Sequence, residues 1–416
     1  MLIKKENCGC SRRDFLRSGL YGLGVSAALP MFLQRVSAAQ AAGVLAGMSE
    51  NHPNRILVVL ELSGGNDGLN TIVPYADDAY YKARPTLAIK SKEAVKLNDR
   101  FALHPAMTSF ESLFKDGRLA IVHGCGYPNP NLSHFTAAEW WHTAVPHGNE
   151  PFGWLGRYAD ANQPQPVENY IVNITTRQTR AVASAKQSPV VFKDPKKFGR
   201  AGTDEQQRVF ETFGKVYPTS NLSLDYLNKV SRTATVGAAL VRNACAEYRT
   251  LVDYGSDNDL TLDLRKVSGM IKAGLPTRIF YVSQGGYDTH AAQAGSQQTL
   301  LIYFADALRG FMEDLERIGR ADDVAVMVFT EFGRRVNENL SKGTDHGTAT
   351  PMYMVGKNVK GGFYGQMPSL TDLDDGNLKM TTDFRSVYAT MLKEWMGFDD
   401  TKAVLKGDYP TLNVFG

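Results

Sequence analysis

Cysteine is scarce in this 416-residue chain: there are four, and two of them, Cys8 and Cys10, fall in the first ten residues. So few exclude a disulfide-built scaffold. No stretch offers the roughly 20 consecutive apolar residues of a membrane-crossing helix. The run from Gly19 to Leu33 is interrupted by Pro30. Neither sign of charge dominates, with 46 Lys+Arg against 43 Asp+Glu. The small basic excess sits in residues 1–39, where six basic side chains face two acidic ones, so the rest of the chain is close to neutral. A neutral body lacks the electrostatic footprint of a nucleic-acid binder. The glycine-rich turn Ser63–Asn70 is not followed by Gly-Lys-Ser/Thr, which excludes a phosphate-cradling P-loop. What is present is ample apolar material, 43% of the residues, enough for a sizeable core and too much for a disordered chain.

The N-terminus reads as an address. Ser11-Arg12-Arg13-Asp14-Phe15-Leu16 precedes the apolar run, and Ser37-Ala38-Ala39-Gln40-Ala41 offers a small-residue cleavage site. Residues 1–41 are therefore expected to be a twin-arginine signal peptide, with the twin-arginine translocase as a partner during export and a periplasmic or secreted destination. That route carries folded proteins and suits a chain that takes up a metal before crossing. Cys8 and Cys10 leave with the signal, and Cys125 and Cys245 either pair or stay buried as small apolar side chains.

Six short apolar runs bounded by turn residues are expected to be buried parallel strands: Arg55–Leu62, Leu119–Val122, Tyr170–Ile174, Thr277–Ser283, Val324–Thr330 and Met352–Val355. Between Gln298 and Ile318, apolar residues recur every three or four positions, the pattern of an amphipathic helix. A second helix is expected from Asp383, an N-cap, through Trp395. Strands alternating with helices predict an α/β fold, a three-layer sandwich with a mostly parallel central sheet. Residues 42–416 read as one domain, in which about 155–275, richer in Gln, Asn and Thr and helical between roughly 222 and 252, is an insertion or cap.

Ligands of open parallel sheets gather beyond the carboxyl ends of the strands, and polar clusters follow four of the predicted strands. After the first comes Ser63-Gly-Gly-Asn-Asp67-Gly. After the second comes Ser133-His134-Phe135, where a helix begins and Ser133 is either a nucleophile or an ordinary N-cap. The later clusters are Asp288-Thr-His290, Glu331-Phe332-Gly-Arg334-Arg335 and Asp345-His346. Glu331 ends an apolar strand, where an unpaired carboxylate is costly, so either Arg334 or Arg335 or a metal neutralises it. Asp67, Asp288, His290, Glu331, Asp345 and His346 together have the composition of a metal-ligating set. Mixed imidazole and carboxylate donors suit zinc or manganese, and carboxylates alone suit calcium.

These motifs resemble the alkaline phosphatase and sulfatase superfamily, and more closely the twin-arginine-exported bacterial family of domain of unknown function 1501. The resemblance rests on residues 63–68, 133–140, 285–290, 330–334 and 343–347. It implies an alkaline-phosphatase-like fold, a bridging role for Asp67, a nucleophile's place for Ser133, and metal-ligand places for Asp288, His290, Glu331, Asp345 and His346. The sequence departs from the phosphatases at Glu331-Phe332, where they carry Asp-His, and in the single residue, Thr289, between Asp288 and His290. One metal or none is then favoured over two. The expected function is exported, metal-dependent hydrolysis of phosphate or sulfate esters, with a small anionic ester or a sulfated or phosphorylated glycan as substrate. Ser133 would attack, His134 would serve as acid or orient the substrate, and Arg334 would grip the anion in bidentate fashion. Two other readings stand beside it: a non-catalytic exported protein that binds a glycan or partner on a degraded site, and an esterase using Ser133, His290 and Asp288, for which no Gly-x-Ser-x-Gly elbow surrounds Ser133.

Overall fold

Isoleucine, leucine and valine fill seven consecutive positions of the first strand except for Glu61, and this strand, β1 (Ile56–Leu62), is buried along its whole length. Such a run belongs in the middle of a sheet covered on both faces. The computed structural model, which describes residues 54–198 and 237–416, places it there. The other strands of the main sheet are β2 (Leu119–Gly126), β3 (Ile171–Ile174), β4 (Val190–Phe192), β5 (Ile279–Gln284), β6 (Val324–Phe329), β7 (Thr350–Gly356), β8 (Gly362–Tyr364) and β9 (Thr382–Asp383). Their order is β8-β2-β7-β6-β1-β5-β3-β4, with β9 also paired to β2. Every pairing is parallel except those of β7, which runs antiparallel to both β2 and β6.

Alternation along β1 assigns the two faces. Val58 and Leu60 pack in one cluster with α1 (Thr108–Lys115), α4 (Asp259–Lys272) and α5 (Gln293–Arg317). Leu57 and Val59 pack in another with α2 (His134–Thr143), α3 (Trp154–Asn162) and α6 (Phe384–Thr390). The result is a three-layer α/β/α sandwich around a mostly parallel sheet, as the sequence predicts. Trp141 and Trp154 belong to the second cluster as core residues.

The six predicted strands all form, with ends shifted by a few residues, but the one expected at Met352–Val355 is antiparallel to its neighbours instead of parallel; Asp383 caps α6 by accepting from the Arg385 amide. The segment 155–275 supplies β3 and β4 to one edge of the sheet as well as covering helices, so its described part extends the sheet. Of the helix expected at 222–252, residues 237–247 are helical, 248–252 are not, and 222–236 lie outside the described residues. The signal-peptide expectation at 1–41 also lies outside them. Among the described residues no helix is long and apolar enough to cross a membrane. Cys125 and Cys245 are both free, and burial pushes both thiols up, Cys245 to about 11.

Candidate metal and active site

Strands β1, β2, β5 and β6 run the same way, so the loops after Leu62, Gly126, Gln284 and Phe329 emerge at one edge. Close backbone approach holds these loops together. Gly64 has φ +119°, and a Cβ there would stand 2.6 Å from the Asp288 amide nitrogen, so only glycine lets the first loop meet the third.

Three imidazoles meet one carboxylate oxygen at this edge. Asp288 Oδ1 lies 3.0 Å from His290 Nε2, 3.2 Å from His346 Nε2 and 3.3 Å from His134 Nε2. His290 Nε2 and His346 Nε2 are 2.9 Å apart. His134 Nε2 is buried and has no aligned hydrogen-bond partner. The outer nitrogen of each ring is engaged elsewhere: His134 Nδ1 with Glu331 Oε1 at 2.7 Å, His290 Nδ1 with Asp345 Oδ1 at 3.2 Å, and His346 Nδ1 with the Leu132 carbonyl at 2.7 Å. Asn339 Nδ2 donates in turn to Asp345 Oδ1 and to the His290 carbonyl. Phe332 packs against the rings of His134 and His346, with centroids 4.8 Å from each.

This donor set fits a cation. With Nδ1–H of His290 donating to Asp345 and that of His346 to the Leu132 carbonyl, the two neutral rings face each other with lone pairs at 2.9 Å, a repulsion that a shared cation would relieve. Donor atoms around a tetrahedral zinc lie about 3.3 Å apart, given Zn–N distances near 2.0–2.1 Å, close to the three separations from Asp288 Oδ1 and the one between His290 and His346. Metal-bound histidines also carry a carboxylate or carbonyl on the second ring nitrogen. His134, Asp288 and His346 each place one donor atom within 4.8 Å of the others, and His290 adjoins two of them.

The electrostatics are set locally. Burial pushes the Asp288 carboxyl up, but the Arg334 and His346 hydrogen bonds, with His134 nearby, outweigh it and hold the group well below the usual carboxylate range. The Glu331 hydrogen bond raises the pKa of His134 against the opposing effect of burial.

The predicted site residues thus divide. Asp288, His290 and His346 come together as expected, and His134 joins them through Nε2. Glu331 and Asp345 reach the cluster only through His134 and His290. Glu331 is not neutralised by Arg334 or Arg335. It accepts from His134, the Gly64 amide and the Thr330 hydroxyl. Asp67 faces another way: Oδ1 caps a short helix, accepting from the Leu69 and Asn70 amides, and Oδ2 accepts from Arg84 Nη1 and Gln293 Nε2, each at 2.5 Å.

Arg334 has no donor left for a bidentate grip on an anion. Nε donates to the Gly65 carbonyl (2.6 Å), and Nη1 donates to the Thr344 carbonyl (2.9 Å) and lies 3.5 Å from His290 Nε2. Nη2 serves the Gly64 and Tyr287 carbonyls and Asp288 Oδ1. The side chain is buried and staples three loops. Ser133 holds the N-cap position of α2 without making a capping bond, and it is exposed. Its neighbours Leu132 and His134 both touch the cluster. An open cleft beside the cluster is lined by Ser63, His134, Phe135, His142, Arg180 and Glu331, among others.

Sequence reasoning missed the Leu132 carbonyl, Asn339, and a buried group formed by Glu61, His142 and Tyr281. Glu61 carried a signal, as the one charge in an apolar strand run. His142 carried another, lying eight residues after His134 on a helix.

Residues 268–408 match the family described as "Protein of unknown function (DUF1501)", a span holding Asp288, His290, Glu331, Asp345 and His346. No curated protein matches. Among solved structures, the chain is similar to a protein in the alkaline phosphatase superfamily from Vibrio parahaemolyticus, at 11% identity and a TM-score of 0.41, covering 88% of this chain and 76% of that one. It is similar also to the PsFucS1 sulfatase from Pseudoalteromonas sp., at 10% identity and a TM-score of 0.36, covering 91% of this chain and 76% of that one. A third is the lipoteichoic acid synthase LtaP from Listeria monocytogenes, at 11% identity and a TM-score of 0.35, covering 82% and 76%.

Proposed function

We propose that this chain is an exported, cation-dependent hydrolase of phosphate or sulfate esters, carried by the leader at 1–41 to the periplasm or beyond. The observation that carries the reading is the orientation of the three imidazoles: each has Nδ1 anchored by a carboxylate or carbonyl while Nε2 lies within 3.3 Å of Asp288 Oδ1. His134, His290, His346 and Asp288 would hold the cation. Three nitrogens and one oxygen favour zinc or manganese over calcium. When bound, a divalent ion supplies neutralisation of the ester's nonbridging oxygens and lowers the pKa of a nearby hydroxyl.

The residues of the chain do the rest. Ser133 stands at the N-terminus of a ten-residue helix, where the dipole and free amides favour an incoming anion. Its hydroxyl is committed to no cap, so it is free to attack the phosphorus or sulfur in line. Its proton passes to solvent, the alcohol departs, and water then cleaves the seryl ester. Glu331 and Asp345 fix the imidazoles that frame this chemistry, and Arg334 fixes the loops.

One observation favours the non-catalytic reading: Arg334 already pairs with Asp288, so part of the site's negative charge is balanced from within. Elemental analysis of the purified protein, followed by 4-nitrophenyl phosphate and sulfate assays, separates the two. The hydrolase reading expects about one bound ion per chain and turnover that Ser133→Ala abolishes while metal content stays. A chain with neither metal nor turnover sinks it.

A further inference from the structure

A buried group that the reading above does not use reaches the cleft through His142. Glu61 Oε2 accepts from Tyr281 Oη at 2.7 Å, Glu61 Oε1 lies 3.2 Å from His142 Nε2, and Tyr281 Oη lies 3.0 Å from that same nitrogen. An ionised Glu61 places a proton on His142 Nε2, so that in the neutral ring Nδ1 is the lone-pair nitrogen, and His142 lines the open cleft.

The cleft follows one face of α2. His134, Phe135, Ala138, Glu139 and His142 line it, and eight residues of α-helix span about 12 Å. The methyl group of Ala138 keeps the middle open. Phe135 is 89% exposed, a large apolar ring presented to solvent beside the cation site. Arg180 Nη2 stands 3.8 Å from Glu139 Oε1, and both side chains line the cleft with Phe135.

We propose that this cleft is a carbohydrate subsite, taking a sugar on the alcohol side of the ester that meets the cation site. A flat apolar ring next to paired donors and acceptors matches a pyranose, which has an apolar C–H face and a rim of hydroxyls. Phe135 packs on that face, His142 Nδ1 and Glu139 accept from hydroxyls, and Arg180 donates. The assignment to the alcohol side rests on the hydrolase reading.

The test is binding of the labelled full chain to an array of neutral, sulfated and phosphorylated oligosaccharides, repeated with Phe135→Ala and Arg180→Ala. The expected result is a discrete set of bound sugars, with about tenfold weaker binding in each variant. Phe135 is exposed, so the melting temperature of Phe135→Ala should match the parent and exclude misfolding. A parent protein that hydrolyses a 4-nitrophenyl ester yet binds no oligosaccharide, or binds equally well after Phe135→Ala, overturns the subsite and leaves the hydrolase reading in place. Phe135-dependent sugar binding by a chain lacking metal and turnover keeps the subsite and sinks the hydrolase reading.

Discussion

Glu331 Oε1 lies 2.7 Å from His134 Nδ1, and this contact decides which atom of each residue faces the cluster. The carboxylate, also held by the Gly64 amide and the Thr330 hydroxyl, turns Nε2 of the ring inward toward Asp288. Glu331→Gln keeps the shape and removes the charge. Cation affinity, read by metal titration, should fall about 10–100-fold, the effect of losing an outer-sphere partner. A loss as complete as that of His290→Ala would mean that Glu331 binds the ion directly.

Arg334 is expected to matter for folding more than for anion binding. Arg334→Lys replaces a planar fork by a point charge and strands the carbonyls of Gly64, Gly65, Thr344 and Tyr287. A stability loss of about 3 kcal/mol or more should appear in chemical denaturation. An unchanged denaturation midpoint with a raised KM for aryl phosphate would instead restore the anion-gripping role.

Asp67→Asn separates an ion-pair role from a metal role. Its carboxylate pairs with Arg84, and both side chains are buried. Breaking such a pair costs about 3–5 kcal/mol. The variant should melt at lower temperature while binding the same number of ions well below its melting point. Loss of the ion in a folded variant would place Asp67 among the ligands.

Acid sensitivity should come partly from two histidines outside the site. Burial lowers His104 and His123 from the usual 6.5 to about 4, with Arg100 adding to the effect on His123 and Asp67 opposing it on His104. Between these values the unfolded chain binds protons that the folded one does not, so stability falls as pH drops from 6.5 toward 4. Each group contributes about 3 kcal/mol over that window. His123→Phe, whose ring can keep the packing on Phe101 and Phe363, should flatten the slope of denaturation free energy against pH. An unchanged slope would show that His123 does not set it.

The strands were legible because seven-residue apolar runs such as Ile56–Leu62 have few alternatives to burial in a sheet. The gathering of Asp288, His290 and His346 was legible too, because parallel strands deliver their trailing loops to one edge. Side-chain direction was not legible. An aspartate after a strand and before a short helix looks the same whether it caps the helix, as Asp67 does, or faces a ligand. Glu331 and His134 stand nearly 200 residues apart in the chain, and only the folded loops show that one orients the other. Arg334 was misjudged for the same reason, since the carbonyls that occupy it belong to backbone and leave no trace in residue type.

Helix α2 is fastened to the sheet by two glutamates, Glu331 at its first residue and Glu61 in its last turn. It cannot slide or roll without loosening both clasps together. The distance between His134 and His142 is therefore a fixed gauge of two helical turns, a ruler made of the protein's own backbone.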